Sequence, residues 1–288
     1  QHTQHARVSQ QGATGGLPIL HWLHAQAGIN ARFAHGVLLS VPPELQLSQL
    51  EQLIEQLASA HPALNAFTRN TLLVVGEPLP ARPARCRVME AQERDQAADQ
   101  AFREDAARLD PAAGSLLQAT LLQQQGVSCG LVLTLHHLVV DGVSWRVLLD
   151  ELQQAGDALL SGAPITLHAE ETSLHDWSAT LLANLASRAS EMPFWQRMLE
   201  QPLPALGERA LTGNERALHQ RTLLDAATSS ALLNTLPQQF RATSEELLLT
   251  LLSLALRSMN GSALQRVTLE SHGRAELHDH QDLARTVG

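Results

Sequence analysis

The segment from Leu135 to Trp145 contains the densest group of side chains capable of chemistry. It reads Leu-His-His-Leu-Val-Val-Asp-Gly-Val-Ser-Trp and follows an apolar run at residues 127–135 in which the odd positions form one apolar face. If this strand continues for two residues, His137 prolongs the apolar face and His136 points to the opposite side. The two histidines therefore cannot share one task.

His137 is the candidate general base of this segment. An imidazole on an apolar face beside a turn can be kept neutral by desolvation and accept a proton near neutral pH. The alternative is a core histidine whose hydrogen bonds are satisfied by the backbone. Adjacent histidines also suggest a metal, but neighbours on a strand diverge and no His-Glu-x-x-His or Cys-x-x-Cys motif accompanies them, so we expect no metal site.

Asp141, Gly142 and Ser144 follow at a predicted strand-to-helix turn. Asp141 is either a general base or a residue that fixes the turn by bonding the backbone and pairing with an arginine. We favour the second interpretation because Asp-Gly is itself a turn signature. No Gly-x-Ser-x-Gly motif surrounds Ser144, so we expect its hydroxyl to cap the following helix rather than act as a nucleophile.

The composition excludes several mechanisms. All 20 basic residues are arginine, and the chain contains no lysine and no tyrosine. A lysine Schiff base to pyridoxal phosphate, a P-loop lysine and a phenolic acid or base are therefore excluded. The net charge of −9 and the absence of a basic run argue against nucleic acid as a partner.

Cysteine usage and hydropathy bear on the cellular compartment. Cys86 and Cys129 are the only two cysteines, too few for a disulfide framework or a structural zinc site. The sequence shows no signal-peptide pattern and no apolar stretch as long as a membrane span. We expect a cytoplasmic protein without a membrane partner.

Hydrophobic periodicity predicts alternating helices and strands along the whole chain. We predict helices at residues 17–23, from Ser48 with a Ser48/Glu51 capping box, at 90–109, from Trp145 onward, and at 173–186, 192–199, 225–236 and 244–259. Strands are predicted at residues 35–41, 64–67, 71–75, 116–122, 127–135 and 266–270. This alternation predicts an α/β protein, an α+β two-layer sandwich in two lobes. Residues 1–17 are expected to be a loose lead-in, 18–175 the N-terminal lobe and 176–288 the first part of the C-terminal lobe.

Four segments, in order, carry a resemblance to a known family. The His-His-x-x-x-Asp-Gly spacing resembles the core motif of the condensation-domain superfamily of nonribosomal peptide synthetases, related in fold to chloramphenicol acetyltransferase. Residues 141–149 have the sequence Asp-Gly-Val-Ser-Trp-Arg-Val-Leu-Leu, which is most similar to the corresponding segment of the epimerization domains of that superfamily. The other three segments, also similar to motifs of that family, are Pro-Ile-x-x-Trp at 18–22, Glu-Ser-His-Gly-Arg-Ala-Glu at 270–276 and Asp-Leu-x-Arg-Thr-Val-Gly at 282–288. Two departures are Ser271, where the family usually has glycine, and Ala275, which displaces Glu276 by one place.

The resemblance implies a fold of two chloramphenicol acetyltransferase-like lobes in a V shape. Because its motifs would continue beyond Gly288, we expect the second lobe to be truncated at its C-terminus. The implied activity is isomerase chemistry: the L-to-D inversion of the α-carbon of an aminoacyl or peptidyl thioester in antibiotic or other secondary-metabolite biosynthesis. The resemblance implies no cofactor of its own. The substrate is carried on the 4'-phosphopantetheine of a partner peptidyl carrier domain, among neighbouring synthetase modules.

The resemblance also implies roles for individual residues of the site. His137 and Glu270 become opposed acid/base partners, although on sequence alone Glu270 is equally a strand-end carboxylate paired with Arg274. Arg274 or Arg285 is expected to pair with Asp141. The remaining motif residues, His136, Gly142, Ser144, Trp145, His272 and Gly273, are expected to support the site structurally.

Three other functions stay open. A condensation domain would use the same His137 to join two carrier-bound substrates through a peptide bond. A catalytically silent carrier-binding module of the same fold is a second alternative. A racemase with paired thiols would have to use Cys86 and Cys129.

Overall fold

A computed structural model describes residues 12–25, 33–77, 79, 83–201, 218, 220–269, 271–274 and 281–288. Its backbone contacts divide the chain into two compact units. Unit 1 comprises Gln1–Ala189 with His272–Gly288, and unit 2 comprises Ser190–Ser271. The division predicted at residue 175 concerns lobes of the family fold and stays a prediction.

Unit 1 contains seven strands and five helices among its described residues. The strands are β1 (Gly12–Thr14), β2 (Ala34–Leu39), β3 (Phe67–Arg69), β4 (Leu72–Val75), β5 (Cys86–Glu90), β6 (Leu117–Gln124) and β7 (Val127–His136). The helices are α1 (Pro18–Ala25), α2 (Leu47–Ala60), α3 (Arg94–Arg108), α4 (Gly142–Ser161) and α5 (Leu174–Ala183), with a 3-10 turn at Pro62–Asn65. A second 3-10 turn, Ala186–Glu191, contains residues of both units. The mixed α/β class is confirmed.

The strands form two sheets. A three-stranded antiparallel sheet has the order β1-β4-β3, and a four-stranded sheet has the order β2-β7-β6-β5. In the second sheet β5 and β6 are parallel, while the other pairs are antiparallel. β1 lies within residues 1–17, the segment that was expected to be a loose lead-in. Its residues Gly12–Thr14 pair with β4 and are therefore part of a sheet.

Both faces of β7 are buried over most of its length, although its sequence alternates apolar odd positions with mostly polar or small even ones. Odd positions such as Leu133 and Leu135 join the main core with buried residues of α2 and α4. The even position Val132 joins a smaller core with Leu122 and the alanines of α3. The central strand therefore fixes the direction in which the His-His motif leaves the sheet.

Unit 2 is helical where the structure describes it. It contains α6 (Met192–Leu199), α7 (Ala226–Ser230), a π-helical turn (Ala231–Thr235), α8 (Leu236–Phe240) and α9 (Ser244–Asn260). α6 has the predicted bounds, and α9 exceeds its prediction by one residue. The strand predicted at 266–270 is wrong for residues 266–269, which form no strand, while Glu270 lies outside the described residues.

Two further local predictions are corrected by the structure. The Ser48/Glu51 capping box is wrong because α2 already begins at Leu47. The Oε1 atom of Gln49 instead accepts a hydrogen bond of 2.9 Å from the backbone N–H of Gln46. Leu64, predicted in a strand, lies in the 3-10 turn that precedes β3.

Candidate active site

The turn between β7 and α4 is held by Asp141. Its side chain is the N-cap of α4: Oδ1 accepts hydrogen bonds from the Ser144 backbone N–H at 2.7 Å and from the Ser144 hydroxyl at 2.6 Å. The expected cap was Ser144, but Asp141 takes this role because its carboxylate accepts both bonds. A Cβ atom on Gly142, the first residue of the helix, would meet nothing within 4 Å.

The two motif histidines have different environments. β7 ends at His136, whose side chain is fully buried and whose Nδ1 atom accepts a hydrogen bond of 3.2 Å from the Leu138 backbone N–H. His137 is the first residue after the strand and is partly exposed. β7 extends one residue beyond the predicted strand at 127–135, so His137 lies just outside it.

One ring nitrogen of His137 is engaged by the backbone. Its Nδ1 atom lies 2.7 Å from the carbonyl oxygen of Val140, three residues downstream. A carbonyl only accepts hydrogen bonds, so Nδ1 carries the proton and Nε2 is the basic nitrogen of the neutral ring. The arrangement matches the tautomer requirement for a general base.

The motif at residues 270–276 reaches the same turn through Arg274. The Arg274 guanidinium forms a two-point ion pair with Asp141: Nη1 contacts Oδ2, and Nη2 lies 3.1 Å from Oδ1. Nη2 also lies 3.1 Å from the Ser144 hydroxyl oxygen. Burial opposes ionisation of Asp141, but its hydrogen bonds with Arg274 and Ser144 outweigh it and hold the pKa of this carboxyl below its usual value.

Arg274 also binds the last segment of the chain. Its Nη2 atom lies 2.8 Å from the carbonyl oxygen of Thr286. The backbone N–H of Gly288 donates to the Ser144 hydroxyl oxygen at 3.1 Å. The Ser144 hydroxyl therefore links the start of α4, an arginine and a backbone N–H.

Residues 272 and 273 shape the approach of Arg274. Gly273 has a φ of 64°, in the left-handed region that favours glycine. The His272 Nδ1 atom accepts a hydrogen bond of 3.1 Å from the backbone N–H of Arg274. Trp145, on the first turn of α4, packs partly buried against the main core.

Arg285, the other arginine expected near Asp141, pairs instead with Glu151 of α4. Glu151 belongs to a buried cluster that sequence reasoning missed. His61 is fully buried, with Nε2 2.5 Å from Glu151 Oε2 and Nδ1 2.8 Å from Glu170 Oε1. Glu170 Oε1 also accepts a 2.9 Å hydrogen bond from the backbone N–H of Val287. No local signal identifies this cluster, because Glu151 and Glu170 lie 90 and 109 residues from His61.

Burial and mutual contacts shift the pKa values of this cluster. Burial disfavours the imidazolium of His61, but the hydrogen bonds and charges of Glu151 and Glu170 outweigh burial and raise its pKa from 6.5 to about 9. Burial opposes ionisation of Glu151, but its hydrogen bonds and charge interactions with His61 and Arg285 outweigh burial and lower the pKa of this carboxyl. Burial raises the pKa of the Glu170 carboxyl despite its hydrogen bonds with His61 and the Val287 backbone. The cluster joins α2, α4 and the 283–288 segment inside unit 1.

The thiol alternative has no geometric support. Cys86 begins β5, and Cys129 lies on β7. β6 separates these two strands in the sheet. Burial raises the pKa of the Cys86 thiol to about 11, which disfavours the thiolate that such chemistry requires.

Glu270, the expected partner of His137, lies outside the described residues, so its role stays a prediction. Within the described ranges, no group of three or more histidine, cysteine or acidic side chains could hold a metal ion. None of the helices that the structure describes is long and apolar enough to cross a membrane.

Comparison with known proteins identifies the class that this fold and turn define. The family model described as "Condensation domain" matches residues 21–288, so the chain belongs to the condensation-domain family. It is 31% identical to a chondramide synthase of Chondromyces crocatus, over 97% of this chain but 8% of that protein. It is 29% identical to surfactin synthase subunit 1 of Bacillus subtilis, over 94% of this chain and 8% of that protein. The chain thus spans a small part of the length of these relatives.

Solved structures of the same fold include two kinds of domain. The epimerization domain from the third module of tyrocidine synthetase B matches with a TM-score of 0.79 and 23% identity, over 96% of this chain and 66% of that one. The first condensation domain of the calcium-dependent antibiotic synthetase matches with a TM-score of 0.60 and 18% identity, over 87% and 61%. The expected superfamily and its fold are confirmed.

Proposed function

We propose that this domain inverts the α-carbon of an aminoacyl or peptidyl group from L to D while the group is held as a thioester on the phosphopantetheine of a peptidyl carrier domain. The observation that carries the proposal is the state of His137. The ring is partly exposed, and the hydrogen bond between Nδ1 and Val140 makes Nε2 its basic nitrogen. A base in this state can remove a proton from carbon if the substrate makes that carbon acidic.

The thioester supplies this acidity. The Nε2 lone pair takes the α-proton, and the C–H electron pair moves into the carbonyl to give an enolate. Return of a proton to the opposite face regenerates the thioester with inverted configuration. In our proposal the acid on that face is Glu270, as the family resemblance implies. After one turnover the His137 imidazolium releases a proton to solvent, and the Glu270 carboxylate takes one up.

The ion pair between Arg274 and Asp141 supports the site without entering the chemistry. It joins the turn that carries His137 to the residues that follow the Glu270 position. Asp141 is already the N-cap of α4 and the partner of Arg274, so it is not available as a base near neutral pH. This leaves the imidazole as the proton acceptor of the motif.

Epimerization is favoured over condensation by two observations. The sequence of residues 141–149 is most similar to that of epimerization domains. The TM-score is 0.79 to an epimerization domain and 0.60 to a condensation domain. A condensation domain would need a second carrier and an acceptor amine. The difference in substrate number separates the two functions experimentally.

The test uses one loaded carrier and no acceptor. A carrier domain is charged with an L-aminoacyl or L-peptidyl group and incubated with the protein in D₂O. The thioester is then hydrolysed, and both configuration and deuterium content are measured by chiral chromatography and mass spectrometry. We expect D-product with deuterium at the α-carbon. A product that stays L and unlabelled, with peptide formed only when an acceptor carrier is added, would instead identify a condensation domain. Failure of both reactions would identify a silent carrier-binding module.

A further inference from the structure

A second imidazole, on His35 of β2, lies directly against the ring of His137. The two ring centroids are 4.0 Å apart and the rings are inclined by 36°. His35 lies outside the four motif segments of the sequence. Its side chain is partly buried.

The pairing of β2 with β7 produces this contact. In the antiparallel register Ala34 is opposite His136 and His35 is opposite Leu135. The ladder extends one step further, because the His137 backbone N–H donates to the Phe33 carbonyl at 2.9 Å. Phe33 and His35 therefore project on the same face as His137, one directly opposite and one diagonally.

His137 contacts both of these rings. The Phe33 ring lies 4.6 Å from it, centroid to centroid, at an inclination of 40°. Trp22 of α1 supports Phe33 from behind, at 5.1 Å between centroids. With Nδ1 bound to the Val140 carbonyl, the His137 ring is restrained at one edge by a hydrogen bond and by two neighbouring rings. Ring contacts of this kind restrict rotation about χ1 and χ2.

We propose that His35 is a positioning residue for His137. Its flat ring holds the His137 imidazole in the orientation in which Nδ1 meets the Val140 carbonyl oxygen. His35 acts through shape and not through its own proton. The proposal rests on the proposed function, in which His137 is the base, and it adds a residue that the family motifs do not contain.

The kinetic test compares two substitutions at one position. His35→Ala removes the ring, and His35→Phe keeps a flat ring without titratable nitrogens. Because misplacement of a catalytic group by about 1 Å can cost about 100-fold in rate, we expect His35→Ala to lower kcat for α-deuterium exchange by about tenfold or more. KM for the loaded carrier should stay near the wild-type value. We expect His35→Phe to recover most of kcat. The control is His168→Ala, which removes an exposed imidazole and should leave kcat unchanged.

A spectroscopic test does not depend on activity. In protein labelled with ¹⁵N-histidine, two-bond ¹H–¹⁵N spectra report which nitrogen of His137 carries the proton. We expect the Nδ1–H form in the wild type and in His35→Phe, and a mixture of forms in His35→Ala. If the proposed function fails, the wild type shows no exchange, yet this ring measurement still tests the positioning role.

Two results would overturn the proposal. His35→Ala with wild-type kcat and an unchanged His137 spectrum would show that the ring contact positions nothing. His35→Phe as inactive as His35→Ala would show that the imidazole itself is needed, which assigns His35 a proton-handling role instead.

Discussion

Asp141 and Arg274 lie 133 residues apart in the sequence and form a two-point ion pair inside one structural unit. The side chains are 17% and 8% exposed, so water screens the pair only weakly. Asp141 also caps α4, and Arg274 also holds the backbone at Thr286. One ion pair thus fastens two of the motif segments to each other.

The first prediction concerns this pair. Asp141→Asn should destabilise the fold by about 2–4 kcal/mol, because it leaves a mostly buried guanidinium without its counter-ion. Asp141→Arg should cost more, and the charge swap Asp141→Arg/Arg274→Asp should recover part of that loss. Recovery should be incomplete because the swap does not restore the cap. Urea unfolding of the wild type, Asp141→Asn, both single charge reversals (Asp141→Arg and Arg274→Asp) and the double swap measures these differences. Strictly additive effects of the two reversals would contradict the ion pair.

The second prediction concerns pH and His61. The pKa of His61 is raised to about 9 in the folded chain from 6.5, so the folded state binds this proton more tightly than the unfolded state. The resulting stability is fully present below pH 6.5 and is lost as the pH rises through 9. A shift of this size corresponds to a loss on the order of 3 kcal/mol.

The free energy of unfolding should therefore fall over this alkaline range in the wild type. In His61→Gln the fall should be much smaller, since Gln does not titrate. His168→Gln, which changes an exposed imidazole, serves as the matched control and should follow the wild type. Parallel pH curves for the wild type and His61→Gln would show that the buried cluster does not hold this proton.

The third prediction concerns the packing of α3 on β2. A Cβ atom at Gly36 would lie 2.4 Å from Cδ2 of the Phe102 ring, so Gly36→Ala forces this ring to move. We expect a loss of about 1–3 kcal/mol. Phe102→Leu in the same background should reduce the additional cost of the alanine.

Gly156→Ala is the matched control for this substitution. Gly156 lies within α4, and a Cβ atom at this position would meet nothing within 4 Å. Alanine there should be neutral or stabilising by up to about 1 kcal/mol because it favours the helix. Thermal unfolding of Gly36→Ala and Gly156→Ala measures the stability change of each. Equal changes would contradict the claim that Phe102 leaves no room for a Cβ atom at Gly36.

Local sequence patterns predicted the elements that position the site. The apolar odd positions at the end of residues 127–135 and the helical spacing after Trp145 come from burial against the main core, and burial repeats with the period of the element. The pattern also predicted that the two histidines differ, and His136 is fully buried while His137 is partly exposed. Here the local signal sufficed because both residues lie at the end of one strand.

Contacts set by strand pairing or by distant loops could not be predicted in this way. His35 reaches His137 only through the register of β2 and β7, and no local pattern encodes that register. The buried cluster around His61 could not be predicted either, because its two acidic side chains come from distant segments. The strand expected at residues 266–269 had suitable residues, but a strand also needs a hydrogen-bonded neighbour, which no described residue provides.

The central claim is that Nε2 of His137 removes the α-proton of a carrier-bound thioester. The most direct measurement is the rate of α-deuterium incorporation in D₂O with one loaded carrier, for the wild type, His137→Asn and the control His168→Asn. General base catalysis contributes about 10²- to 10⁴-fold, so His137→Asn should lower the exchange rate by at least about 100-fold while its circular dichroism spectrum stays that of the wild type. Exchange by the folded His137→Asn protein at the wild-type rate would contradict the account.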